Sequence, residues 1–561
     1  MTSDKKNIAL LTDIFVKKGL KQIVISPGSR NAPVIISFAN HPDVEALSIV
    51  DERSAAFFAL GMARKTGKTV AIACTSGTAV LNYAPAIAEA YYQKIPLLVL
   101  TADRPSKMID IGDGQTIRQS NVFSNYIKES FEIPDTIETN GEITKTAMKI
   151  NEAIDMTMFP VPGPIHINLP FAEPIYGQTV RKNFDVEVND IPVWNGDLSD
   201  TEIENFSNIW NNSPKKLMIA GLMSYNSRLS ALLKKLTGDD SVFLLSETTS
   251  NIPDNVSCSC IDTIVSTIGE DEAEDFRPDL LVTFGGHIIS KMIKRFLRTH
   301  KPRYHWHIDP VDINMDTYES LTSEIVSFPG YFFDKLLPFI KPVESNYREI
   351  WQRRSARSEK RHFEFLSNAP YSDLKVFEKL LKTIPAESDL HLGNSTPVRY
   401  VQLFKPFRKF TYFSNRGVSG IDGTVSTAAG AAYASEAPTT LITGDLAFFY
   451  DSNALMNNYL HPQLRIIIIN NSGGGIFRFI PGPDETGQLE KFFEAKHNWN
   501  AEYIAKAFDI PYFSAGNLKE LNNVLNDFYK PQNGRPAILE IFTPNKENAK
   551  VLRNYFRFLA T

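Results

Sequence analysis

Cysteine is scarce in this chain, as are long apolar runs and any excess of one charge. Three cysteines among 561 residues cannot build a disulfide framework, which favours a reducing compartment. The longest apolar runs, such as 96–100 and 466–469, are far shorter than the roughly 20 residues of a membrane-spanning helix. The 59 Lys and Arg residues nearly balance the 64 Asp and Glu residues, and a net charge of −5 argues against a nucleic-acid partner.

Residues 1–19 do not resemble a secretory signal peptide, because Asp and Lys are scattered through them and no uninterrupted apolar stretch is left. The composition, with 43% hydrophobic and 22% charged residues, is typical of a globular protein. A chain of this length usually forms several domains. These observations predict a large cytoplasmic enzyme with several domains, and they leave its chemistry open.

Short apolar runs alternate with helical patterns throughout the chain, which predicts three consecutive α/β domains, each a doubly wound parallel sheet. We place the first domain at 1–180, a central Rossmann-like domain at 190–345 and the third domain at 350–561. The polar stretch 176–213 and a break near 342–346 are interpreted as linkers. Strands are predicted at 22–26, 46–50, 69–74, 97–101, 164–170, 216–221, 242–247, 280–285, 304–310, 390–393, 411–415, 439–444, 465–470 and 537–542.

Two strand ends in the third domain carry the residues best suited to a metal ion and a phosphate group. Strand 439–444 leads into Gly444-Asp445-Leu446, and the next strand leads into Asn470-Asn471, which three glycines soon follow. Because the carboxyl ends of parallel strands meet in one crevice, Asp445 and Asn471 should lie together. Their oxygen atoms suit Mg²⁺, and the glycines let the backbone approach a diphosphate.

These strand ends resemble the motif of thiamine-diphosphate enzymes that binds diphosphate and Mg²⁺, GDG followed further along the chain by NN. Leu446 replaces the last glycine of that motif. The resemblance implies a carboxylate in another α/β domain that bonds the pyrimidine ring of thiamine, and Glu52 is the candidate. Glu52 stands directly after a predicted strand and before an Ala- and Phe-rich helix. Its alternative role is to stabilise that helix through the macrodipole.

Motifs along nearly the whole chain are similar to those of the SEPHCHC synthase family of menaquinone biosynthesis. They are SPGSR at 26–30, VDERSAAFF at 50–58, TSGTAV at 75–80, LTADRP at 100–105 and SNRGVSGIDG at 414–423. The resemblance implies a first domain that binds the pyrimidine and a third domain that binds the diphosphate and metal. It also implies a transferase that decarboxylates 2-oxoglutarate on thiamine diphosphate and adds the succinyl carbanion to isochorismate.

Both implied substrates are polyanions, so the site needs cations that pair with carboxylates. Carried over motif by motif, the resemblance implies catalytic roles for Ser29, Arg30, Glu52 and Gln115. It implies substrate contacts at Ser29, Arg30, Arg104, Gln115, Lys291, Ser395, Arg399 and Arg416. It implies contacts to the cofactor at Glu52, Ser395, Ser419, Ile421, Gly444, Asp445, Leu446, Asn471, Gly473, Ile476 and Phe477. It also implies that Mg²⁺, or Mn²⁺ as a substitute, is bound by Asp445, Asn471 and Gly473.

The central domain departs from the family pattern at a cationic position. Family members often carry Lys-Arg there, whereas this sequence has Lys291-Met292, with Lys294 further on. A second cation is therefore in doubt, and the sequence leaves open whether Lys294 replaces it. For each arginine the alternative is a surface ion pair, which is worth at most about 1 kcal/mol.

Two other functions stay open at this level. An acetolactate-synthase-like enzyme or simple 2-keto-acid decarboxylase would use the same cofactor, although the chain lacks the His-His dipeptide of many decarboxylases. A non-catalytic protein that retains the fold would have no reason to keep Glu52, Asp445 and Asn471 together. The resemblance also implies active sites between subunits, and hence a homodimer or a homotetramer.

Overall fold

Three sheets of parallel strands follow one another along the chain, and helices pack against each of them. The computed structural model describes residues 1–181, 183–196, 198–311, 314–406, 410–480 and 482–561. Within these residues the sheets have six, five and six strands, and the predicted α/β class is confirmed. The domain boundaries given above stay a prediction.

The first unit spans residues 2–179, and its six-stranded sheet has the order β3-β2-β4-β5-β7-β6 once its elements are numbered along the chain. A further antiparallel pair joins the two shortest strands, at 2–3 and 178–179. The strands are β1 (Thr2–Ser3), β2 (Gln22–Ile25), β3 (Glu45–Ser48), β4 (Val70–Cys74), β5 (Leu97–Asp103), β6 (Ser130–Glu132), β7 (Ile165–Pro170) and β8 (Gln178–Thr179). The helices are α1 (Lys6–Lys17), α2 (Ala32–Ala39), α3 (Glu52–Thr66), α4 (Thr78–Asn82), α5 (Ala84–Gln93) and α6 (Asn140–Met156).

The central unit spans residues 200–336 and has the strand order β10-β9-β11-β12-β13. Its strands are β9 (Lys216–Ala220), β10 (Val242–Ser246), β11 (Leu280–Phe284), β12 (Tyr304–Asp309) and β13 (Ser323–Val326). Its helices are α7 (Asp200–Asn211), α8 (Ser227–Leu236), α9 (Ile261–Val265), α10 (Ala273–Phe276), α11 (Lys291–Thr299) and α12 (Pro329–Leu336).

The third unit spans residues 347–560 and has the strand order β15-β14-β16-β17-β19-β18. Its strands are β14 (Asp389–Leu392), β15 (Thr411–Phe413), β16 (Thr439–Gly444), β17 (Leu464–Asn470), β18 (Tyr512–Ala515) and β19 (Ala537–Phe542). Its helices are α13 (Tyr347–Asn368), α14 (Asp373–Thr383), α15 (Thr396–Val401), α16 (Thr424–Tyr433), α17 (Asp445–Tyr450), α18 (Glu502–Ala507), α19 (Leu518–Phe528) and α20 (Asn545–Ala560).

Alternate residues of the buried strands pack into different cores, so both faces of a sheet are covered. In β4, Ile72 belongs to one hydrophobic cluster, whereas Ala71 and Ala73 belong to another. The cluster that contains Ile72 continues through α3 and α16 to Leu441 of β16. The first and third units therefore share one hydrophobic core, which fixes how they sit on each other.

Two glycines allow α3 and α16 to touch at this shared core. A Cβ atom on Gly61 would lie 2.0 Å from the carbonyl oxygen of Thr427, and one on Gly430 would lie 1.9 Å from that of Phe58. No side chain fits at such distances, so only glycine permits this approach. Because α3 begins at Glu52 and α16 follows the SNRGVSGIDG motif, the contact sets the relative positions of two predicted site segments.

The predicted linker from 176 to 213 is wrong over residues 200–211, which form α7. Ser199 and Glu202 form a reciprocal capping box at its start, and Ile203 and Trp210 bury one face of the helix. The capping pattern was present in the sequence, but the polar residues around it concealed the narrow apolar stripe. Among the described residues, no helix is long and apolar enough to cross a membrane.

Candidate active site

The ends of β16 and β17 bring Asp445 and the glycine-rich segment together, because the two strands are parallel neighbours. Asp445 begins α17 and is only 2% exposed. Its Oδ1 accepts the N–H of Leu446 at 2.7 Å, and its Oδ2 accepts the N–H of Gly473 at 2.9 Å. His497 approaches the same carboxylate, with Nε2 3.2 Å from Oδ2. The predicted adjacency of the two strand ends is therefore present in the fold.

Asn471 presents a buried oxygen that lacks a hydrogen-bond partner within the described residues, its Oδ1 atom. Its Nδ2 donates to Asp373 at 3.4 Å. Burial raises the pKa of Asp373 to about 6, although its hydrogen bonds act to lower this pKa, and the negative charge of Asp445 raises it further. An unpartnered amide oxygen beside two carboxylates is the environment of a cation ligand.

The backbone after Asn471 forms a cradle in which side chains have no room. Gly473 has a φ of 141°, and a Cβ there would lie 2.5 Å from the carbonyl oxygen of Glu494. A Cβ on Gly475 would lie 3.0 Å from the Asn471 side chain. Ile476 and Phe477 follow in a short, half-buried helical turn. Such a bare backbone fits the close approach of a phosphate group.

No group of three His, Cys, Asp or Glu side chains in the described part of the chain is arranged to hold a metal ion. A cation at this strand edge would therefore rely on Asp445 together with the amide oxygen of Asn471 and a backbone carbonyl such as that of Gly473. This mixed set of oxygen atoms is chemically suited to Mg²⁺.

Glu52 is the first residue of α3, whose N-cap Asp51 accepts the N–H of Ser54 at 2.9 Å. The Glu52 carboxylate is half-buried and has no hydrogen-bond partner in the residues described. Burial raises the pKa of Cys74 and Tyr83, and the negative charge of Glu52 raises both pKa values further. Glu52 is therefore an unpaired carboxylate that remains available to a ligand.

The residues beside Glu52 contact the third unit at the end of α17 and just beyond it. Asn453 donates to Asp51 at 2.8 Å, and Arg53 donates to the carbonyl oxygen of Tyr450 at 2.8 Å. Between described residues, no hydrogen bond or ion pair joins Glu52 to Asp445 or Asn471. The two predicted halves of the cofactor site thus do not touch in one chain, although the neighbours of Glu52 contact the third unit.

Arg30, Arg104 and Gln115 gather around the loop between β4 and α4. Arg30 is 7% exposed and donates to the carbonyl oxygen of Phe171 at 3.0 Å, while its backbone N–H reaches Thr75. Arg104 donates to Ser76 at 2.8 Å and to the carbonyl oxygen of Gln115 at 2.7 Å. Ser29 and Gln115 are exposed beside them. This first cation group belongs wholly to the first unit.

A second cation group contains Arg399, Arg416 and Lys294, which come from the third and central units. Arg416 is buried and donates to Asn394 at 3.0 Å, and Arg399 donates to the carbonyl oxygen of Ile289 at 3.1 Å. Burial lowers the pKa of both arginines, and the charge of Arg399 lowers that of Arg416 further. Lys291, in contrast, is exposed and has no side-chain partner among the described residues.

The Nε atoms of Arg30, Arg399 and Arg416 are buried, and none has a hydrogen-bond partner within the residues that the structure describes. A buried guanidinium with an idle donor gains from any carboxylate that reaches it. The two cation groups are therefore prepared for an anionic ligand.

Two predicted cofactor residues, one in the loop that carries Arg416 and one in the loop beside it, have an uncommon backbone conformation. Ser419 has a φ of 62°, and Ser395, in the neighbouring loop, has a φ of 74°. Asn394 donates to the carbonyl oxygens of Asn415 and Gly420, which ties the two loops together. Ile421 is 36% exposed at the tip of the loop, where an apolar side chain can support a ligand.

Sequence reasoning missed two buried carboxylates that hold these loops. Glu89 of α5 accepts the N–H groups of Gly417 and Val418 at 2.7 and 2.8 Å. Glu247, directly after β10, accepts the N–H groups of Ile289 and Ser290, both at 2.7 Å. Burial raises the pKa of Glu247 to about 7, although both hydrogen bonds act in the opposite direction. For Glu89 the signal in the sequence was a glutamate set among Ala and Ile residues, whereas Glu247 stands among Ser and Thr residues and gave no such signal.

Comparison with known proteins agrees with this geometry. Residues 7–127 match the family model "Thiamine pyrophosphate enzyme, N-terminal TPP binding domain", and residues 393–541 match the corresponding C-terminal TPP binding domain. Proteins named 2-succinyl-5-enolpyruvyl-6-hydroxy-3-cyclohexene-1-carboxylate synthase are similar over nearly their full length. The one from Christiangramia forsetii is 44% identical over 97% of each chain, and that from Flavobacterium johnsoniae is 43% identical over 98% of each. The one from Porphyromonas gingivalis is 40% identical over 100% of this chain and 98% of its own.

Proposed function

The chain belongs to the 2-succinyl-5-enolpyruvyl-6-hydroxy-3-cyclohexene-1-carboxylate synthase family of thiamine pyrophosphate enzymes, and from this we propose that it is the carboligase its relatives are named for. The reaction is the decarboxylation of 2-oxoglutarate and the transfer of the remaining succinyl unit to isochorismate, a step of menaquinone biosynthesis. The enzyme is accordingly a thiamine-diphosphate-dependent transferase.

The observation that carries the choice of substrates is the set of buried arginines with idle donors. Arg30, Arg399 and Arg416 each bury an Nε atom that has no partner among the described residues. A small monocarboxylate such as pyruvate would leave most of these donors unused, at a cost of roughly 1–3 kcal/mol for each unpaired buried group. Two substrates that carry several carboxylates between them would use them all.

The residues present fit the cofactor that the family uses. Asp445, Asn471 and the carbonyl oxygen of Gly473 would hold Mg²⁺, with Mn²⁺ as a substitute, and the Gly473–Gly475 cradle would receive the diphosphate. When bound, thiamine diphosphate supplies the carbon nucleophile that takes up the keto acid and releases carbon dioxide. The Glu52 carboxyl would share a proton with a pyrimidine ring nitrogen of the cofactor, since it has no other partner.

The remaining predicted residues would bind and orient the substrates. Arg30, Arg104 and Gln115 form one wall, and Arg399 and Arg416 form another. Bidentate pairing with guanidinium groups would fix the substrate carboxylates at defined places. Ile421, exposed at its loop tip, would support the cofactor from one side.

We further propose that the functional unit is a homodimer or a dimer of such dimers. Glu52 and Asp445 do not touch in one chain, and apolar side chains near them reach solvent, including Val50 and Tyr450, which are 59% and 55% exposed. A second copy would cover these side chains and bring the two halves of a cofactor site together. Sedimentation of the holoprotein tests this, and an active monomer would refute it.

The decisive test of the function is a two-substrate assay with thiamine diphosphate and Mg²⁺. We expect isochorismate to be consumed only when 2-oxoglutarate is present, with one carbon dioxide released for each molecule consumed. Replacing 2-oxoglutarate by pyruvate should abolish the reaction. The proposal would be overturned if the protein bound the cofactor and accepted pyruvate in place of 2-oxoglutarate. It would also be overturned if the cofactor-bound protein consumed isochorismate with neither keto acid.

A further inference from the structure

A four-residue segment of the central unit, His287–Ser290, touches every member of the second cation group. The Nδ1 of His287 donates to the carbonyl oxygen of Arg416 at 2.9 Å. Lys294 donates to the carbonyl oxygen of Ile288 at 2.7 Å. Arg399 donates to the carbonyl oxygen of the next residue, Ile289, at 3.1 Å. Three successive residues of one segment are thus bonded to the three residues of this group, to Lys294 and Arg399 through their cationic side chains and to Arg416 through its backbone.

The same segment rests on Glu247, a carboxylate that is only 3% exposed. Its Oε1 lies 2.7 Å from the amide nitrogens of both Ile289 and Ser290, and its Oε2 lies 2.8 Å from that of Ile289. In a trans peptide group the N–H and the C=O point in opposite directions. The carbonyl oxygens of these same two peptide groups, those of Ile288 and Ile289, accept from Lys294 and Arg399. Glu247 therefore fixes the orientation of the peptide groups whose other side holds the cations.

The residue after Glu247 anchors this arrangement to the third unit. Thr248 donates its backbone N–H to Gln402 at 2.9 Å, and the Gln402 side chain donates back to the Thr248 hydroxyl at 2.6 Å. Gln402 is the C-cap of α15, the helix that carries Arg399. The turn at Glu247 consequently binds the central segment on one side and the arginine helix on the other.

The charge of Glu247 also acts on all three cations. Burial lowers the pKa of Lys294, Arg399 and Arg416, and Glu247 opposes this effect at each of them. Three partly buried cations repel one another, so a group of this kind keeps its shape without a ligand only when a fixed negative charge lies nearby. Asp262 opposes the effect of burial at Arg399 alone, and Glu89 does so at Arg416 alone.

We propose that Glu247 is a positioning residue of the central unit, which fixes the segment His287–Ser290 and through it holds Lys294, Arg399 and Arg416 ready for the carboxylates of the second substrate. The inference rests on the proposed function, since it assigns these cations to isochorismate. Lys294, and not the exposed Lys291, is then the central-unit cation that belongs to the preformed group. Glu247 itself touches neither substrate nor cofactor.

The test is the variant Glu247→Gln, which keeps the size of the side chain, removes its charge and leaves one acceptor atom for two N–H groups. Assays at about pH 8.5 keep the wild-type carboxyl ionised, because this lies above its pKa of about 7. We expect the KM for isochorismate to rise roughly tenfold to a hundredfold, as for one lost buried bond to a charged group. The KM for 2-oxoglutarate and the release of carbon dioxide without isochorismate should stay unchanged.

A matched control comes from the same unit. Asp239 also accepts two backbone N–H groups, those of Ser241 at 2.8 Å and Val343 at 3.2 Å, but it makes no contact with the His287–Ser290 segment. Asp239→Asn should lower stability and leave the KM for isochorismate unchanged. An equal rise of this KM in both variants would show a merely structural role. An unchanged KM in Glu247→Gln, or an equal rise for both substrates, would refute the inference.

Calorimetric titration of isochorismate into the holoprotein separates this inference from the proposed function. Binding without turnover by the wild type would refute the function, while a weaker affinity in Glu247→Gln would still support the positioning role. Absence of binding by the wild type would refute both. If Glu247→Gln does not fold, Glu247→Asp can be used in its place. It keeps the charge but shortens the side chain by one methylene group, so we expect the KM for isochorismate to rise less than the tenfold to hundredfold given for Glu247→Gln.

Discussion

The contact between α3 and α16 makes a sharp prediction, because it depends on the absence of one side chain. Gly61→Ala would place a methyl group 2.0 Å from the carbonyl oxygen of Thr427 and 2.8 Å from the backbone nitrogen of Ala431. Both are backbone atoms of a buried helix, so they cannot turn aside as a flexible side chain would. The helices would have to separate by more than roughly 1 Å to restore ordinary contact distances.

The expected loss of stability follows from two opposing effects. Overpacking a well-packed core costs about 3 kcal/mol at the upper end of its usual range. Alanine regains about 1 kcal/mol over glycine inside a helix. The net destabilisation is therefore about 2 kcal/mol. Since the two helices share one hydrophobic core and α3 begins at Glu52, the variant should also bind the cofactor more weakly.

The control is Gly141→Ala, near the start of α6, where a Cβ would meet nothing within 4 Å. This variant should be neutral or up to about 1 kcal/mol more stable than the wild type. Urea unfolding followed by tryptophan fluorescence compares the two variants. If Gly61→Ala were as stable as the wild type, or if both variants changed stability in the same direction, the reasoning about the shared core would be wrong.

Three further outcomes are expected. Glu52→Gln should lower turnover about a hundredfold or more while cofactor binding, followed by calorimetry, is largely kept; turnover like that of the wild type would exclude its assigned role. Asn471→Ala should raise the Mg²⁺ concentration needed for cofactor binding about tenfold or more, because it removes an oxygen ligand; an unchanged Mg²⁺ requirement would contradict the metal assignment. Burial lowers the pKa of His362 to about 4 in the folded protein. As the pH falls below about 6.5, this histidine therefore takes up a proton in the unfolded chain but stays neutral in the folded one. The free energy of unfolding falls between about pH 6.5 and pH 4, by up to about 1.4 kcal/mol per pH unit. Urea unfolding of His362→Gln should therefore show a smaller loss than the wild type between about pH 6.5 and 5, and equal losses would contradict the buried neutral state.

The strand ends that carry Asp445 and Asn471 could be predicted from the sequence because parallel strands obey a simple rule. Each strand is an apolar run, each is followed by polar residues, and neighbouring strands of one direction end at one edge. The same rule placed Glu52 after β3. The contacts of these residues could not be predicted, because they involve residues far away in the sequence. Asp373 accepts from the Nδ2 of Asn471 and so orients its Oδ1, and His497 approaches Asp445 from another loop.

The cations show the limit of motif reasoning. Lys291, Arg399 and Arg416 all stand in or beside loops, and the sequence gives no reason to separate them. Packing separates them: the two arginines are held between units, whereas Lys291 lies at the exposed start of α11 and Lys294, one turn later, joins the buried group. A one-turn difference on a helix decides which lysine joins the second cation group, and only the tertiary contacts show it.

The buried carboxylates Glu89 and Glu247 explain how buried arginines are held in place in a chain whose net charge is negative. The third unit supplies Arg399 and Arg416, but the carboxylates that hold the loops beside them come from the other two units. Glu89 of the first unit accepts the N–H groups of the two residues after Arg416. Glu247 of the central unit accepts the N–H group of Ile289, whose carbonyl oxygen bonds Arg399. Each carboxylate uses its charge on backbone N–H groups, which leaves the guanidinium Nε atoms free. The arginine Nε atoms stay without a partner because Glu89 and Glu247, the nearby negative charges, are bonded to backbone N–H groups instead. Loss of either glutamate should therefore weaken anion binding, although both arginines are kept.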